Sequence, residues 1–392
     1  MNILYVTGMW SGLKDIIIDG EEPRGMPAFI NPLERLIREN HQVDMIVGTS
    51  EFNKKVNENR GFLDKSNIHL IPWGTSGRTP ILLWKTYKKI YSLAKKGNYD
   101  FIYVHGSFGT IGSWVARKLK VPSGHRLYGT FLMNEINNNK LSVIRRHPLE
   151  YLAFRLKKDF LLITNDGTQG DKVYKKIGKK DGFNFYYWIN GVNKLTIKEN
   201  QPNIGNSRFI LYAARITEWK QQEKAVELLK YIHDAGYKDI NLILVGHISD
   251  NGYWEYLQDL IVQFNLKENV KYLSTVSQEE LFEYYRESIA VLSFYKYSNL
   301  GNVVIEALLN GAIVIANNDD SLNGIINNNE NGFLIDNLHE AQNIIINLLC
   351  REEEKVRVKR NATSYANSLF ESWDTRTQKE IDLIKTAVEK NG

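Results

Sequence analysis

Residues 288–316 constrain the fold more tightly than any other stretch of this chain. Ser288 to Phe294 is a short apolar run of the kind carried by a strand buried on both faces. A polar loop, Tyr295 to Leu300, follows it. Gly301 and Asn302 then open a segment in which Val303, Val304, Ala307 and Leu308 recur at helical spacing. Asn310-Gly311 is a stop signal for that helix, and Ala312 to Ala316 reads as the next strand. The unit is strand, loop, helix, strand, with glycine at the helix start. Free backbone N–H groups and the helix dipole at such an N-terminus favour an anion, typically a phosphate. Glu306 sits one turn further in. Its carboxylate cannot bind phosphate, but it can accept hydrogen bonds from ribose hydroxyls. The chemistry suits a nucleotide diphosphate, and an ordinary crossover with a capping glycine is the plainer alternative.

The rest of the chain repeats that alternation. Residues 2–7, 42–47, 67–72 and 100–104 read as strands, and helices are expected over Phe29 to Asn40 and Ile81 to Lys96. Gly8 to Gly12 follows the first strand, where glycines let a ligand approach the backbone, and a long polar loop is expected from there to Pro27. The strand at 100–104 ends in His105, and Val121 to Thr130 supplies another strand and its loop. Leu161 to Thr164 and Tyr186 to Ile189 follow. Polar residues 193–207 look like a boundary. A second set of strands begins at Phe209 to Ala213 and continues at 241–245 and 269–273, where Ser277 and Glu280 form a capping box. Arg215 and Lys220 straddle the first strand–helix junction of this set. Two cations there can neutralise a diphosphate and its developing leaving-group charge without a metal ion. Loops gathered at strand C-termini make doubly wound α/β domains, in which ligands bind outside those ends.

A chain of 392 residues suffices for two such domains. Charge is divided unevenly. Residues 1–200 carry 31 Lys+Arg against 18 Asp+Glu, net +13, and the remaining 19 and 27 give −8, which together return the overall +5. A basic first half suggests an anionic partner. Ser142 to Lys158 reads as a basic amphipathic helix that either lies on an anionic membrane or packs its apolar face on the sheet. Ile81 to Lys96 and the cluster Lys172 to Lys180 pose the same choice. The single cysteine, Cys350, and an N-terminus without a leader pattern point to a reducing, cytoplasmic location, and the basic first half adds the inner membrane face as an alternative within it. No apolar run approaches a membrane span.

Several of these segments resemble one known family. SNLGNVVIEALLNGAIVIA resembles the nucleotide-sugar signature of the family-4 retaining glycosyltransferases, which have the GT-B fold. That family has two acidic residues eight positions apart around the glycine; here the second is Glu306, and Ser298 stands in the first position. ARITEWKQQEKAVELL resembles the family's Arg/Lys diphosphate motif, with Ala214 and Gln221 where glycine is usual. DFIYVHGSFG resembles its strand-end histidine, and Tyr128-Gly129-Thr130 its next cleft-facing loop.

The resemblance implies an α/β, GT-B architecture of two Rossmann-like doubly wound domains facing a cleft. It implies an acceptor-side domain over 1–195, a nucleotide-sugar domain over 205–370 and a C-terminal helix, 371–392, crossing back to the first. It implies a hexosyltransferase acting with retention by front-face attack on a UDP- or GDP-sugar, the acceptor being a glycan or lipid-linked. His105, Arg215 and Lys220 would be catalytic. Gly8, Gly12, Val276, Ser298, Asn299, Leu300, Gly301, Asn302, Val303 and Glu306 would join Arg215 and Lys220 around the donor. Tyr128, Gly129 and Thr130 would face the acceptor. No Asp-x-Asp triplet occurs, which fits metal-independent transfer with no cofactor, the nucleotide sugar being a substrate. Rival expectations are a nucleotide-sugar epimerase of the same fold and a non-catalytic partner that binds the donor. A nucleic-acid partner has no recognition motif to support it. The abundance of Asn, Ile and Lys suggests a bacterial source and a surface-polysaccharide pathway.

Overall fold

The computed structural model describes residues 1–23, 25–74, 80–130, 132–138, 140–179, 182–193 and 208–391. The boundary expected over 193–207 falls, from 194 onward, outside the described residues, as do Lys180 and the start of the second domain at 205. The chain divides into two compact units, one of Met1–Gly191 with Trp373–Gly392 and one of Val192–Ser372.

The first unit is built on seven strands: β1 (Asn2–Gly8), β2 (Gln42–Thr49), β3 (Ile68–Pro72), β4 (Phe101–His105), β5 (Ser123–Leu127), β6 (Phe160–Thr164) and β7 (Asn184–Trp188). All pair in parallel, in the order β3-β2-β1-β4-β5-β6-β7. The second unit has six: β8 (Phe209–Ala213), β9 (Asn241–Val245), β10 (Val270–Leu273), β11 (Val291–Ser293), β12 (Val314–Asn317) and β13 (Phe333–Ile335), in the order β10-β9-β8-β11-β12-β13. The central strands β4, β6 and β8 are buried along their whole length, so each is apolar without alternation. These are the two parallel-sheet α/β units that the alternating pattern predicts.

Two local expectations need correction. The stretch from Ser11 is not a loop as far as Pro27. It is a helical turn, Ser11–Lys14, continued by a π-helical turn, Asp15–Asp19. Leu13, Ile16 and Ile17 are buried there and join the core beside β1, and this spacing was visible in the sequence. The basic helix expected over 142–158 is instead two short helices, Lys140–Arg146 and Pro148–Ala153. Proline at the start of the second forbids a continuous helix through His147. Val143, Ala153 and Phe154 turn inward onto Leu161 and neighbouring core residues, and Leu149 joins the cluster of Val104 and Ile111, so this segment packs on its own sheet.

The helix Trp373–Glu389 belongs to the first unit. Ile381 and Ile384 are fully buried among Leu33, Phe101 and Phe160, and each such burial contributes roughly 1.5–3 kcal/mol. The same helix carries Glu380 into the core. One Glu380 carboxylate oxygen accepts from the Tyr103 hydroxyl at 2.5 Å, and the other lies 3.3 Å from Arg376 and 3.7 Å from Arg126. All four side chains are buried. Removing one partner of a buried ion pair leaves an uncompensated charge. Glu380→Ala is therefore expected to cost about 3–5 kcal/mol. Glu380→Gln, which keeps the shape, should recover only a minor part. Urea unfolding checks both, and a midpoint unchanged by either would show that the arginines do not depend on this carboxylate.

Candidate active site

In each sheet the chain starts at a central strand, builds outward on one side and then returns to the other. The reversal falls between β1 and β4 in the first unit and between β8 and β11 in the second. Loops leaving adjacent strand ends diverge at such a point and open a crevice, where ligands of parallel α/β sheets bind. Arg215 and Lys220 follow β8. Ser298 to Gly301 follow β11. Gly8 to Gly12 follows β1, and His105 is the last residue of β4. These sequence-predicted residues thus fall at the two switch points, each set within its own unit, whereas Tyr128 to Thr130 follow β5 and Val276 follows β10.

In the second unit the two loops are stitched together. The Lys296 amide donates to the Trp219 carbonyl at 3.0 Å, and the Phe294 amide donates to the Tyr212 hydroxyl at 3.1 Å. Tyr212 in turn donates to the Lys220 carbonyl. This brings the Lys220 ammonium to 3.2 Å from the centre of the Tyr295 ring and 3.9 Å from that of Trp219. A cation on two aromatic faces is attracted by them but poorly hydrated. Burial pushes the Lys220 pKa down from 10.5 to about 7, with Arg215 adding to the shift. Arg215 itself is exposed, and its carbonyl accepts from the fully buried Gln222 amide at 2.9 Å. Gln221, where the resembling family has glycine, takes φ 54°, a left-handed backbone that glycine adopts freely and other residues at a cost of about 1–2 kcal/mol. After β9 the backbone of Gly246 leaves no room for a side chain, since a Cβ would lie 2.0 Å from the Ala214 carbonyl oxygen.

The β11 loop is held from inside. Asn299 is fully buried, its side-chain oxygen accepting from Ser293 and from the Tyr295 amide, both at 2.9 Å. Its side-chain amide donates to Asp319 at 2.7 Å, and its backbone amide to Asp319 at 3.1 Å and Ser321 at 2.9 Å. Asn299 therefore shapes the loop with its side chain and its backbone amide. Leu300 is buried beside it. Gly301 starts the helix Asn302–Leu309 without a side-chain cap, and its carbonyl accepts from the Val304 amide at 3.1 Å. Glu306 lies on that helix, and burial pushes its carboxyl up from 4.5 to about 7. Both Glu306 and Tyr295 act on the buried Tyr285 phenol, whose pKa is raised chiefly by burial. Val276, half-buried, follows the edge strand β10, with β9 between it and β8.

In the first unit a cavity of about 530 Å³ opens where β1 and β4 end, lined in part by Gly8, Trp10, Trp73, His105 and Phe108. Gly12 is buried in the turn beneath it. His105 stacks on Tyr5 with ring centres 4.8 Å apart, and its Nδ1 is 2.8 Å from the Tyr128 hydroxyl. Its Nε2 is buried without a hydrogen-bond partner. Burial, and then Arg126, hold the imidazole well below its ordinary pKa, so it is neutral. Thr130 gives its hydroxyl to Glu150 at 2.5 Å, and Gly129 takes φ 108° with a Cβ position only 2.0 Å from Asp166. These two residues brace the loop that presents Tyr128. Sequence reasoning missed Tyr295, Trp219 and Tyr285; an aromatic directly after a strand and another directly before Lys220 were the available signal. Among the described residues no cluster of ligating side chains could hold a metal ion.

Residues 193–365 match the family model described as Glycosyl transferases group 1. A protein of the cps region of Klebsiella pneumoniae, described as uncharacterised, is 30% identical over 145 residues, which are 32% of this chain and 40% of that protein. The match therefore spans less than half of that relative. An uncharacterised glycosyltransferase of Methanocaldococcus jannaschii is 21% identical over 379 residues, 92% of this chain and 93% of that one. Among solved structures, a sucrose-phosphate synthase of Thermosynechococcus elongatus is similar with a TM-score of 0.73 at 17% identity, covering 98% of this chain and 99% of that one. HepE of Anabaena, in complex with UDP and glucose, is similar with a TM-score of 0.69 at 17% identity, covering 98% and 100%. These likenesses show the GT-B fold over the chain.

The shifted lysine gives a direct test. Between pH 7 and 10.5 the unfolded chain holds a Lys220 proton that the native state lacks, so native stability rises with pH across that window. Limited acetylation read by mass spectrometry should show Lys220 reacting with a midpoint near pH 7, against about 10 for surface lysines. A Lys220 midpoint equal to that of the surface lysines would show that its ammonium is not desolvated.

Proposed function

We propose that this chain, whose residues 193–365 match the group 1 glycosyl transferase model, is a metal-independent retaining glycosyltransferase. It moves a hexose or N-acetylhexosamine from a UDP- or GDP-sugar to a glycan or lipid-linked acceptor. The observation that carries the reading is the pairing, at the β8/β11 switch point, of a caged Lys220 and Arg215 with the uncapped helix start at Gly301. UDP in the HepE complex supports a nucleoside-diphosphate donor of that class.

The residues divide the work as follows. Arg215, Lys220 and the amides of Gly301, Asn302 and Val303 hold the diphosphate. Glu306 accepts from the ribose hydroxyls. Ser298 meets the sugar where the family has a carboxylate. In the reaction the bond from the anomeric carbon to the diphosphate oxygen breaks, and its electron pair stays with the diphosphate. The acceptor oxygen bonds to the same carbon on the same face and gives its proton to that diphosphate oxygen. Charge grows on the leaving group as the bond lengthens, so fixed cations there stabilise the transition state more than the ground state.

Thermal stabilisation by UDP-, GDP-, ADP- and dTDP-sugars, without added metal, identifies the donor, and no shift with any of them would overturn the reading. With that donor, Arg215→Ala and Lys220→Ala should each lower kcat/KM by about 2–4 kcal/mol of transition-state stabilisation. Activity within about threefold of wild type for both would reject the assignment.

Proton linkage gives an independent check. Bound diphosphate restores the Lys220 charge, and ribose hydroxyls favour ionised Glu306, both from pKa values of about 7. Calorimetry in buffers of different ionisation enthalpy should show uptake of about one proton at pH 8 and release of about one at pH 6. Lys220→Met should abolish the uptake. Glu306→Gln should abolish the release and weaken binding. Proton exchange that keeps one sign at both pH values would remove one of the two groups from the site.

A further inference from the structure

We propose that two adjacent helices of the first unit, Pro80–Gly97 and Gly106–Leu119, form a docking surface for an anionic lipid bilayer. The inference stands apart from the glycosyl-transfer reading. Neither helix contains an Asp or a Glu. Lys85, Lys88, Lys89, Arg117, Lys118 and the C-cap Lys120 are all exposed, and among the described residues none is within ion-pair distance of a carboxylate. Between the helices runs a groove of about 800 Å³ lined by Leu83, Trp84, Tyr87 and Trp114 together with three of those cations. Its rim leaves large apolar groups in solvent, with Ile81 68%, Trp84 56% and Trp114 41% exposed.

The other basic segments differ. Arg146 is paired with Glu135 at 3.0 Å, and Lys175 with Asp171 at 3.7 Å; Val173 and Ile177 beside Lys175 face the core, and the exposed apolar residues beside Arg146, Leu141 and Ile144, are aliphatic. Only on the acid-free pair do unpaired cations surround exposed tryptophans, among the described residues. Tryptophan settles at the headgroup level of a bilayer, and each lysine or arginine near an anionic surface adds to the attraction. No helix among the described residues is long and apolar enough to cross a membrane, so the contact is peripheral. A protein partner fits less well, because lysine is depleted from protein–protein interface cores. Single-stranded nucleic acid needs open ring faces on which bases stack. The Trp84 ring is already engaged, stacked on Tyr87 at 5.6 Å with Lys88 over it at 4.9 Å, and Tyr87 meets Trp114 edge-on at 6.5 Å.

The test is co-sedimentation of the full chain with vesicles of phosphatidylcholine alone or with about a third phosphatidylglycerol, at low and high salt. Binding should favour the anionic vesicles by at least about tenfold and fade with salt. The triple variant Lys85→Glu, Lys89→Glu, Lys118→Glu should lose about a hundredfold or more in partition. Trp84→Ser, which leaves every charge in place, should lose about tenfold. Both should keep the wild-type unfolding temperature and the wild-type thermal response to the sugar nucleotide. Equal partition into the two vesicle types, a triple variant that sediments like wild type, or displacement from vesicles by a single-stranded oligonucleotide would each overturn the proposal. A protein that docks on vesicles yet ignores every sugar nucleotide would uphold this surface and reject the transferase reading, so the two fail separately.

Discussion

Parallel pairing imposes one constraint on everything else in this molecule. Each strand must leave its sheet at the C-terminal end and return by a crossover at the other, so every βα loop collects at one edge. Where the winding reverses, at β1/β4 and β8/β11, neighbouring loops part and expose backbone and side chains that a continuous sheet would cover. The candidate residues are scattered from position 8 to position 306, yet each lies at or follows the C-terminal end of a strand, most of them β1, β4, β8 or β11. Topology supplies the position; the loops supply only the chemistry.

The two switch points are stiffened in different ways. At β11 the work falls to hydrogen bonds centred on one amide side chain, with Asn299 tying the loop to Asp319, Ser321 and Ser293. At β4 it falls to a buried ionic cluster in which Glu380 faces Arg126, Arg376 and Tyr103. Arg126 also lies over the Tyr128 ring at 5.1 Å, and Tyr128 meets His105. The last helix of the chain therefore reaches the imidazole through two intermediates. A charged cluster is a costly way to hold a helix, because desolvation consumes most of the Coulomb gain. Its directional bonds, however, admit few alternative packings.

Legibility in the sequence followed the range of the interaction that decided each feature. Parallel α/β class, the strand–helix–strand unit around Gly301 and the Ser277–Glu280 capping box, whose two bonds measure 3.1 and 2.8 Å, depend on neighbours a few residues apart. The broken helix at Pro148 and the buried turn at Leu13, Ile16 and Ile17 were equally local, and were misread because charge and polarity masked the spacing. Other features had no local signal at all. Glu380 meets Tyr103 across 277 positions, and Lys220 finds its cage in Tyr295 from another strand. Nor could residue type reveal which candidates spend their polar groups internally, as Asn299 and Thr130 do.

The opposite displacements of Lys220 and Glu306 follow from one cause. Both side chains are held where water is scarce, so near neutral pH the lysine tends to lose its charge and the glutamate to keep its proton. A fully hydrated lysine would carry its charge permanently, but a diphosphate would then have to displace its water before meeting it. A desolvated lysine between Tyr295 and Trp219 has shed that water during folding, and the cost is already part of the stability of the empty protein. An anion arriving in such a site meets a group that gains its proton and its partner together. The attraction is then felt in a medium that screens weakly. The same argument explains why the aromatic pair matters as much as the cation it surrounds. Without Tyr295 the ammonium would be open to water from that side, and the preorganisation that distinguishes it from any surface lysine would be lost.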